Sequence, residues 1–590
     1  MNRNTALKLS GDWQAGDVNS FVRDNLGQKV DTVANFRLTS FESQRWVYCY
    51  ETVGTYKLDL MSAAADDGVT VIIDAESHRY IRESTAGEPT FSAIQAGIVP
   101  ASGGGTSNFL RADGTWTAIG SMFVSILTFI PDAEHAAIAN HTSTYDCKAD
   151  IEAAVVSLGA YGGTVFHPPG RYNVSAKITI TTPVYLVGAG RGFNATSSVI
   201  RGTHATSGDI VEFSGTTCGG ISSVGLTCSN GVVTGDAIKA VNGCFELQIE
   251  KLAIWRVFNC INVEHASETH ISKITAREIF GIYFINYGNT AVGACYGLNM
   301  DVVTFDNPTR SVPYGSYGPR RGNWTVSTGY LLHEFVIANG NIYQCTFAGN
   351  SAGSGSGPSG FGVPAYDGEI TDGTAKWKFY CNAILAGFRF DSFAYSARIK
   401  TASFIDGAYG VLMTDTQNTG ASWPYWLFCF DLECDHNYYC STWLRYGEGF
   451  FVTTSWLGSC LEWSGVIFDT TWKGESGITN SRIVASNQHG ILINGGVNCD
   501  ISHNIIGANS QAASGANHGI FVGSNINEFT IMGNKIGDLH SLVEKQGYGV
   551  LVNVGTSNNY IISGNRCHDN VTGKVSDGGT GVNKSVTGNI

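Results

Sequence analysis

Five short segments near the C-terminus decide how this chain is read: ITNSRI (Ile478–Ile483), ISHNII (Ile501–Ile506), IMGNKI (Ile531–Ile536), ISGNRC (Ile562–Cys567) and VTGNI (Val586–Ile590). Each places a polar residue at its fourth position: Ser481, Asn504, Asn534, Asn565 and Asn589, at intervals of 23, 30, 31 and 24 residues. A second apolar run recurs between them, as GILI (Gly490–Ile493), GIFV (Gly519–Val522) and GVLV (Gly549–Val552). Each unit thus holds two or more strands of a few residues, punctuated by Gly and Asn turns. No such unit can bury its own apolar side, but stacked units can. The pattern predicts a parallel β-helix. Asn at one turn position suits a stacked ladder, because Asn tolerates the left-handed conformation and its amide can bond the next coil. A β-propeller would need blades of about 40 residues with four strands each, and the uneven spacing favours coils with variable loops.

Composition agrees. The 590 residues include 73 Gly and 12 Pro, and 14% are charged, against about 25% in ordinary soluble domains. Low charge with abundant turn and β-branched residues points to an all-β chain. The net charge of −13, with scattered acids, argues against a nucleic-acid partner. The start, MNRNTALKLSGDW, lacks the apolar core of a signal peptide, so synthesis in a reducing cytoplasm is expected. The most apolar run, Ile119–Pro131, is too short for a bilayer, which takes about 20 residues; it reads as a buried strand or subunit contact, and membrane insertion is not expected. The 15 Cys are spread mostly singly with no CxxC pair, so most are expected to be small core residues.

Further upstream, Asp146–Leu158 has helical apolar spacing and reads as a capping helix. GGTVFHPPGRYNVS (Gly162–Ser175) and KITITTPVYLVGAG (Lys177–Gly190) follow. This succession resembles the entry to pectin-lyase-like right-handed parallel β-helices, and the resemblance covers Asp146–Ile590. Between residues 321 and 380 the pattern changes to VIANGNIYQ and ITDGTAKWKFY around a Gly/Ser-rich middle, which resembles a small β-module of phage tail proteins. There Trp324, Tyr343, Trp377 and Tyr380 either meet glycan or form the module's core. Val33–Ser84 resembles the N-terminal adaptor of phage tailspikes, and GGGTSNFLRADGTWTAIG (Gly103–Gly120) contains the FLRADGTW motif of tail fibres. The resemblance therefore implies an adaptor with its linker over 1–120, a connector over 121–145, and a β-helix over 146–590 interrupted by the module at 321–380.

That order implies a bacteriophage tailspike or tail fibre: a homotrimer on the virion, made in the host cytoplasm. Its N-terminal region would join other tail or baseplate proteins. Its β-helix would bind a bacterial surface polysaccharide and depolymerise it as an endo-glycosidase. A non-enzymatic receptor-binding fibre and a polysaccharide lyase are the alternatives.

Two stretches could carry chemistry. VGAGRGFN (Val187–Asn194) imitates a nucleotide-binding loop, but no βαβ unit surrounds it. FDLECDHNYYC (Phe430–Cys440) carries Asp431, Glu433 and Asp435 at alternate positions. Strand alternation places Trp426, Phe428, Phe430, Leu432 and Cys434 inward and Leu427, Cys429, Asp431, Glu433 and Asp435 outward. His436 would then face away from the acids, so a metal site is disfavoured and no cofactor is expected. Carboxyl groups two residues apart can lie about 5–9 Å from one another, the range used by glycosidases. Glu433, flanked by two acids, is expected to be the hardest to ionise and to act as general acid, with Asp435 or Asp406 as base or nucleophile. Coil-sized spacing adds Asp391, Asp406 and Asp415 to the same groove. Tyr438, Tyr439, Trp443 and Trp456 are candidate sugar platforms, and Glu448 and Glu462 further acids on the next coil.

Overall fold

The computed structural model describes residues 122–590, apart from 205–206, 230–233, 289–292, 307–318, 361–367, 419–421 and 538–544. Before residue 122 it describes the backbone of seven short strands. The chain forms two compact units, Met1–Ile119 and Gly120–Ile590. In the first, five strands pair in the order Lys29–Val30, Trp46–Cys49, Gly54–Leu58, Arg79–Thr85, Val71–Ile73. The FLRADGTW stretch pairs Asn108–Leu110 with Trp116–Ala118, antiparallel. The remaining residues of the stretch 1–120, where the sequence implies an adaptor, lie outside the described ones.

The second unit is a parallel β-helix. One sheet stacks thirteen strands, from Ile178–Ile180 to Gly573–Gly579. The other two faces merge into one continuous sheet, and on the later rungs the chain turns the corner between them on a single residue. Lys273, Val302, Thr401, Asp431, Thr454, Asn480 and His503 occupy this corner on successive rungs, with φ between 49° and 60°. The left-handed conformation bends the strand without a loop, so Cys295–Asp306, Ala394–Ile405 and Tyr425–Asp435 are unbroken strands serving two faces.

From Asn480 onward the residue after the corner forms the ladder. The backbone N–H groups of Ser481, Asn504, Asn534 and Asn565 donate to the side-chain oxygens of Asn504, Asn534, Asn565 and Asn589, at 2.9, 2.9, 3.0 and 3.1 Å. Each asparagine amide also donates to a carbonyl of the preceding rung: Asn504 to Ile478, Asn534 to Ile501, Asn565 to Ile531 and Asn589 to Ile562. These buried amides therefore have partners on both sides, as burial requires. A second column joins Ser486, Asn509, Gln546 and Asn570. Inward residues such as Ile478, Ile501, Ile531 and Ile562 fill the interior. Of the described cysteines all but Cys218 are buried, and burial raises their pKa, Cys429 among them.

The helix begins before Asp146. Phe123–Ser125 pairs in parallel with Gly163–His167, so part of the 121–145 stretch is built into the first rungs. Two helices follow, Asp132–Ala139 and Lys148–Ser157. Between Asp306 and Ala386 a separate five-stranded sheet runs from Arg320–Asn323 to Ala375–Asn382. Tyr343, Trp377 and Phe379 form its core with Phe280. Tyr343, Trp377 and Tyr380 are thus packing residues. Half-buried Trp324 donates its indole N–H to Asp372 at 2.7 Å. After Val184–Gly188 the glycine loop leads to the strand Ser198–Gly202, not to a helix.

Candidate functional site

The strand Tyr425–Asp435 does not keep one alternation. Leu427 and Cys429 are inward at 0% and 1% exposure, while Trp426 and Phe430 are 38% and 43% exposed. Phe428 is half-buried and stacks on Phe451 at 5.4 Å. The expected facing is therefore reversed before residue 431. Asp431, at φ 54°, is the corner, and a left-handed residue resets the phase by one. Phe430 and Asp431 are both exposed as a result, and beyond them Leu432 and Cys434 point inward as expected. Glu433 and Asp435 share the face after the corner; Asp431 is separate from them.

Glu433 is exposed and accepts a 2.7 Å bond from Ser403 Oγ. Asp435 is half-buried, with Trp456 Nε1 at 3.3 Å from one oxygen and His436 Nδ1 at 2.9 Å from the other. Burial alone would raise its pKa, but His436, Ser459 and Trp456 outweigh that and hold the carboxyl below its ordinary range. His436 was expected on the opposite face. It too has a positive φ, 51°, which ends the strand and returns its ring to Asp435.

The other sequence-chosen acids do not line a groove. Asp391 is 0% exposed. It pairs with Arg389 at 2.8 Å and accepts from Ser392 and Thr416. Asp415, also buried, accepts from Ser392 and Ser422. Asp406 is 2% exposed and accepts from the Tyr380 hydroxyl at 3.1 Å. Each serves a turn, where a carboxylate satisfies several donors that water cannot reach.

Tyr438 is 1% exposed and packs on Phe335 of the inserted sheet, so it offers no face to a sugar. Tyr439, Trp443 and Trp463 are half-buried and touch one another at 4.4–5.3 Å. Trp456 stands in register between Glu433 and Arg482. Glu448 is half-buried and in register with Tyr425. Burial pushes the Glu462 carboxyl up, and Arg320 of the inserted sheet offsets this only in part.

An open groove lies instead on the face before the corner. Four triplets stack there in register: Gln248-Ile249-Glu250, His270-Ile271-Ser272, Asn299-Met300-Asp301 and Arg398-Ile399-Lys400. Their central residues point inward, each 0% or 1% exposed. Their flanking residues line an open depression of about 480 Å³. Glu250 and Asp301 are two rungs apart with Ser272 between them, hence about 9–10 Å apart at Cα. His270, Arg398 and Lys400 stand beside them. The next rungs continue both columns with Phe428, Phe430 and Phe451. On the same rungs Tyr296, Tyr395 and Tyr425 stack ring on ring at 5.1 and 5.6 Å. Tyr296 is 52% exposed. The sequence signal is a polar–apolar–polar triplet repeated on each coil, which becomes visible only once the register is known. Among the described residues no three His, Cys, Asp or Glu side chains gather as a metal site.

No family model matches this sequence, and no curated protein is significantly similar to it. Solved structures do match, at low identity. The mannuronan C-5 epimerase AlgE4 A-module of Azotobacter vinelandii is 14% identical with a TM-score of 0.45, covering 79% of this chain and 100% of that one. Tailspike protein 3 of bacteriophage CBA120 is 9% identical with a TM-score of 0.42, covering 97% and 80%. Tailspike protein gp49 of the Acinetobacter baumannii bacteriophage Fri1, a capsular polysaccharide depolymerase, is 11% identical with a TM-score of 0.33, covering 95% and 75%. Likenesses this distant carry no function, and the site rests on its own residues.

Proposed function

We propose that this chain is a homotrimeric phage tailspike that binds and depolymerises a bacterial surface polysaccharide, with residues 1–120 attaching it to the virion and other tail proteins. One observation supports the glycan reading above the others. An open groove holds Glu250 and Asp301 about two rungs apart with Ser272 between them, His270, Arg398 and Lys400 beside them, and an aromatic strip at its end. Aromatic faces and edges suit sugar rings. Carboxyl groups roughly 6.5–9.5 Å apart suit inverting hydrolysis, in which one protonates the leaving oxygen and the other activates water.

The test is incubation of the full chain with host capsule or lipopolysaccharide, following polymer length and reducing ends. Glu250→Gln and Asp301→Asn are each expected to slow cleavage about 10²–10⁴-fold. Unchanged cleavage in both moves the chemistry elsewhere. Unchanged polymer with every host glycan leaves a receptor-binding fibre, and an ultraviolet-absorbing unsaturated product identifies a lyase. A second reading keeps Glu433 as acid and Asp435 as base, without Asp406 and Asp391, which are buried in turns, or Asp431, which stands on the corner. It is favoured by the shared face of Glu433 and Asp435 after the corner, where His436, Ser459 and Trp456 hold the Asp435 carboxyl ionised. Glu433→Gln decides it: under this reading cleavage collapses, under the groove reading it stays within a few-fold. A sedimentation mass other than three chains removes the trimer.

A further inference from the structure

A cavity of about 260 Å³ opens on the face after the corner, at the first rungs of the helix. Its floor is Val199, outward on its strand yet only 2% exposed. Arg171 is the register partner of Val199, and Arg201 lies two residues along the same strand. Both guanidinium groups line the cavity, and His141, from the loop after the first helix, closes it. Phe193 and Trp255 form a wall, their rings 5.5 Å apart.

The charges here are not balanced. Arg256, over the Trp255 ring at 4.2 Å, is neutralised by Glu278 at 2.7 Å. Arg171 has a 3.4 Å bond to the Ser143 carbonyl, but its buried Nε meets no acceptor. The buried His141 Nε2 has no hydrogen-bond partner either. Among the described residues no carboxylate lies within ion-pair distance of Arg171 or Arg201. A buried donor without a partner costs about 1–3 kcal/mol, and two like charges side by side add to that cost. Burial and the charge of Arg201 both weaken the hold of Arg171 on its proton. This arrangement, in a chain of net charge −13, is that of a preorganised anion site. Guanidinium groups match the two oxygens of a carboxylate, and an indole beside them matches a sugar ring.

We infer that the pocket of Arg171, Arg201, His141 and Trp255 binds the anionic group of an acidic sugar residue, its carboxylate between the two arginines and its ring against Trp255. The anion site stands on its own geometry; only the sugar rests on the glycan reading above.

The test is calorimetric titration of the full chain with a glucuronate-containing tetrasaccharide, the same tetrasaccharide after carboxyl reduction, and inorganic phosphate. The acidic tetrasaccharide is expected to bind at least ten-fold more tightly than the reduced one. Arg201→Gln weakens it a further ten-fold or more, and Trp255→Ala weakens the tetrasaccharide but not phosphate. Arg201→Gln should not lower the melting temperature of the free protein, since it removes a repulsion; a structural arginine would. Failure of the groove is read from cleavage by Glu250→Gln and Asp301→Asn, and failure of the pocket from the binding of Arg201→Gln, so the two are read separately. Equal binding of the acidic and reduced tetrasaccharides, or full binding by Arg201→Gln, overturns the inference. Phosphate binding with no tetrasaccharide binding overturns the sugar assignment and leaves a free-anion site.

Discussion

At the scale of single residues, the acids that stand out in the sequence turned out to be of two kinds. Asp391, Asp406 and Asp415 are consumed by turns, whereas Glu433 and Asp435 reach the surface. Nothing in the residue types separates them, because an aspartate that caps a turn and one that meets solvent are written alike. Histidines behave similarly. Burial, with the neighbouring His518, pushes His489 down to about 3, and burial pushes His167 down to about 4. In the unfolded chain each would titrate near 6.5. Below that pH the unfolded state takes protons that the native state refuses, so stability falls as acid is added. The window runs from about pH 6.5 down toward each native value, at roughly 1.4 kcal/mol per pH unit per histidine. Urea unfolding between pH 7 and 4.5 checks this. His489→Gln is expected to reduce the slope, with His167 and the other depressed histidines, His141, His204 and His518, supplying the rest, and an unchanged slope refutes the assignment.

At the scale of elements, the ladder was legible and the groove was not. Ser481, Asn504, Asn534, Asn565 and Asn589 announce themselves because one residue type returns at one turn. The groove triplets share no residue type, and between Asn299-Met300-Asp301 and Arg398-Ile399-Lys400 a whole inserted sheet intervenes. The phase of Tyr425–Asp435 was missed for a related reason: Lys273, Val302, Thr401 and Asp431 all serve as corners, so no composition marks one. The ladder carries its own prediction. Asn534 accepts from the backbone and side chain of Asn504 and donates to Ile501 and Asn565. Asn534→Ala strands several buried groups and should cost about 2–4 kcal/mol. Asn589→Ala at the end of the stack, where the side chain is half-exposed, should cost clearly less because water replaces the lost bonds. Denaturant midpoints of the two variants compare them directly; equal losses would mean the ladder contributes nothing beyond its ends.

At the scale of the whole molecule, each rung touches only its neighbours, so stability is a sum of local terms. The all-β class and the stacking were readable from period and composition alone, since a repeat too small to fold alone admits few solutions. The entry of Phe123–Ser125 into the first rung was not, because three residues carry no period. The linear arrangement predicts uneven opening. Amides of Gly573–Gly579 and Lys584–Thr587, on the last rung, should exchange with solvent well ahead of those in Tyr425–Asp435, which is bonded on both edges. Hydrogen exchange by mass spectrometry reads this, and uniform protection along the stack would contradict it.

The left-handed corner has a consequence for variation. A cation, a branched apolar residue, a hydroxyl, an acid and an amide occupy it on different rungs, as Lys273, Val302, Thr401, Asp431 and Asn480 do. The backbone there is set by the rungs above and below, and no interior packing depends on the side chain. Each rung therefore offers a position where surface chemistry can be exchanged at small structural cost. The surface of the solenoid is therefore open to change one corner at a time, while the stack that carries those corners stays the same.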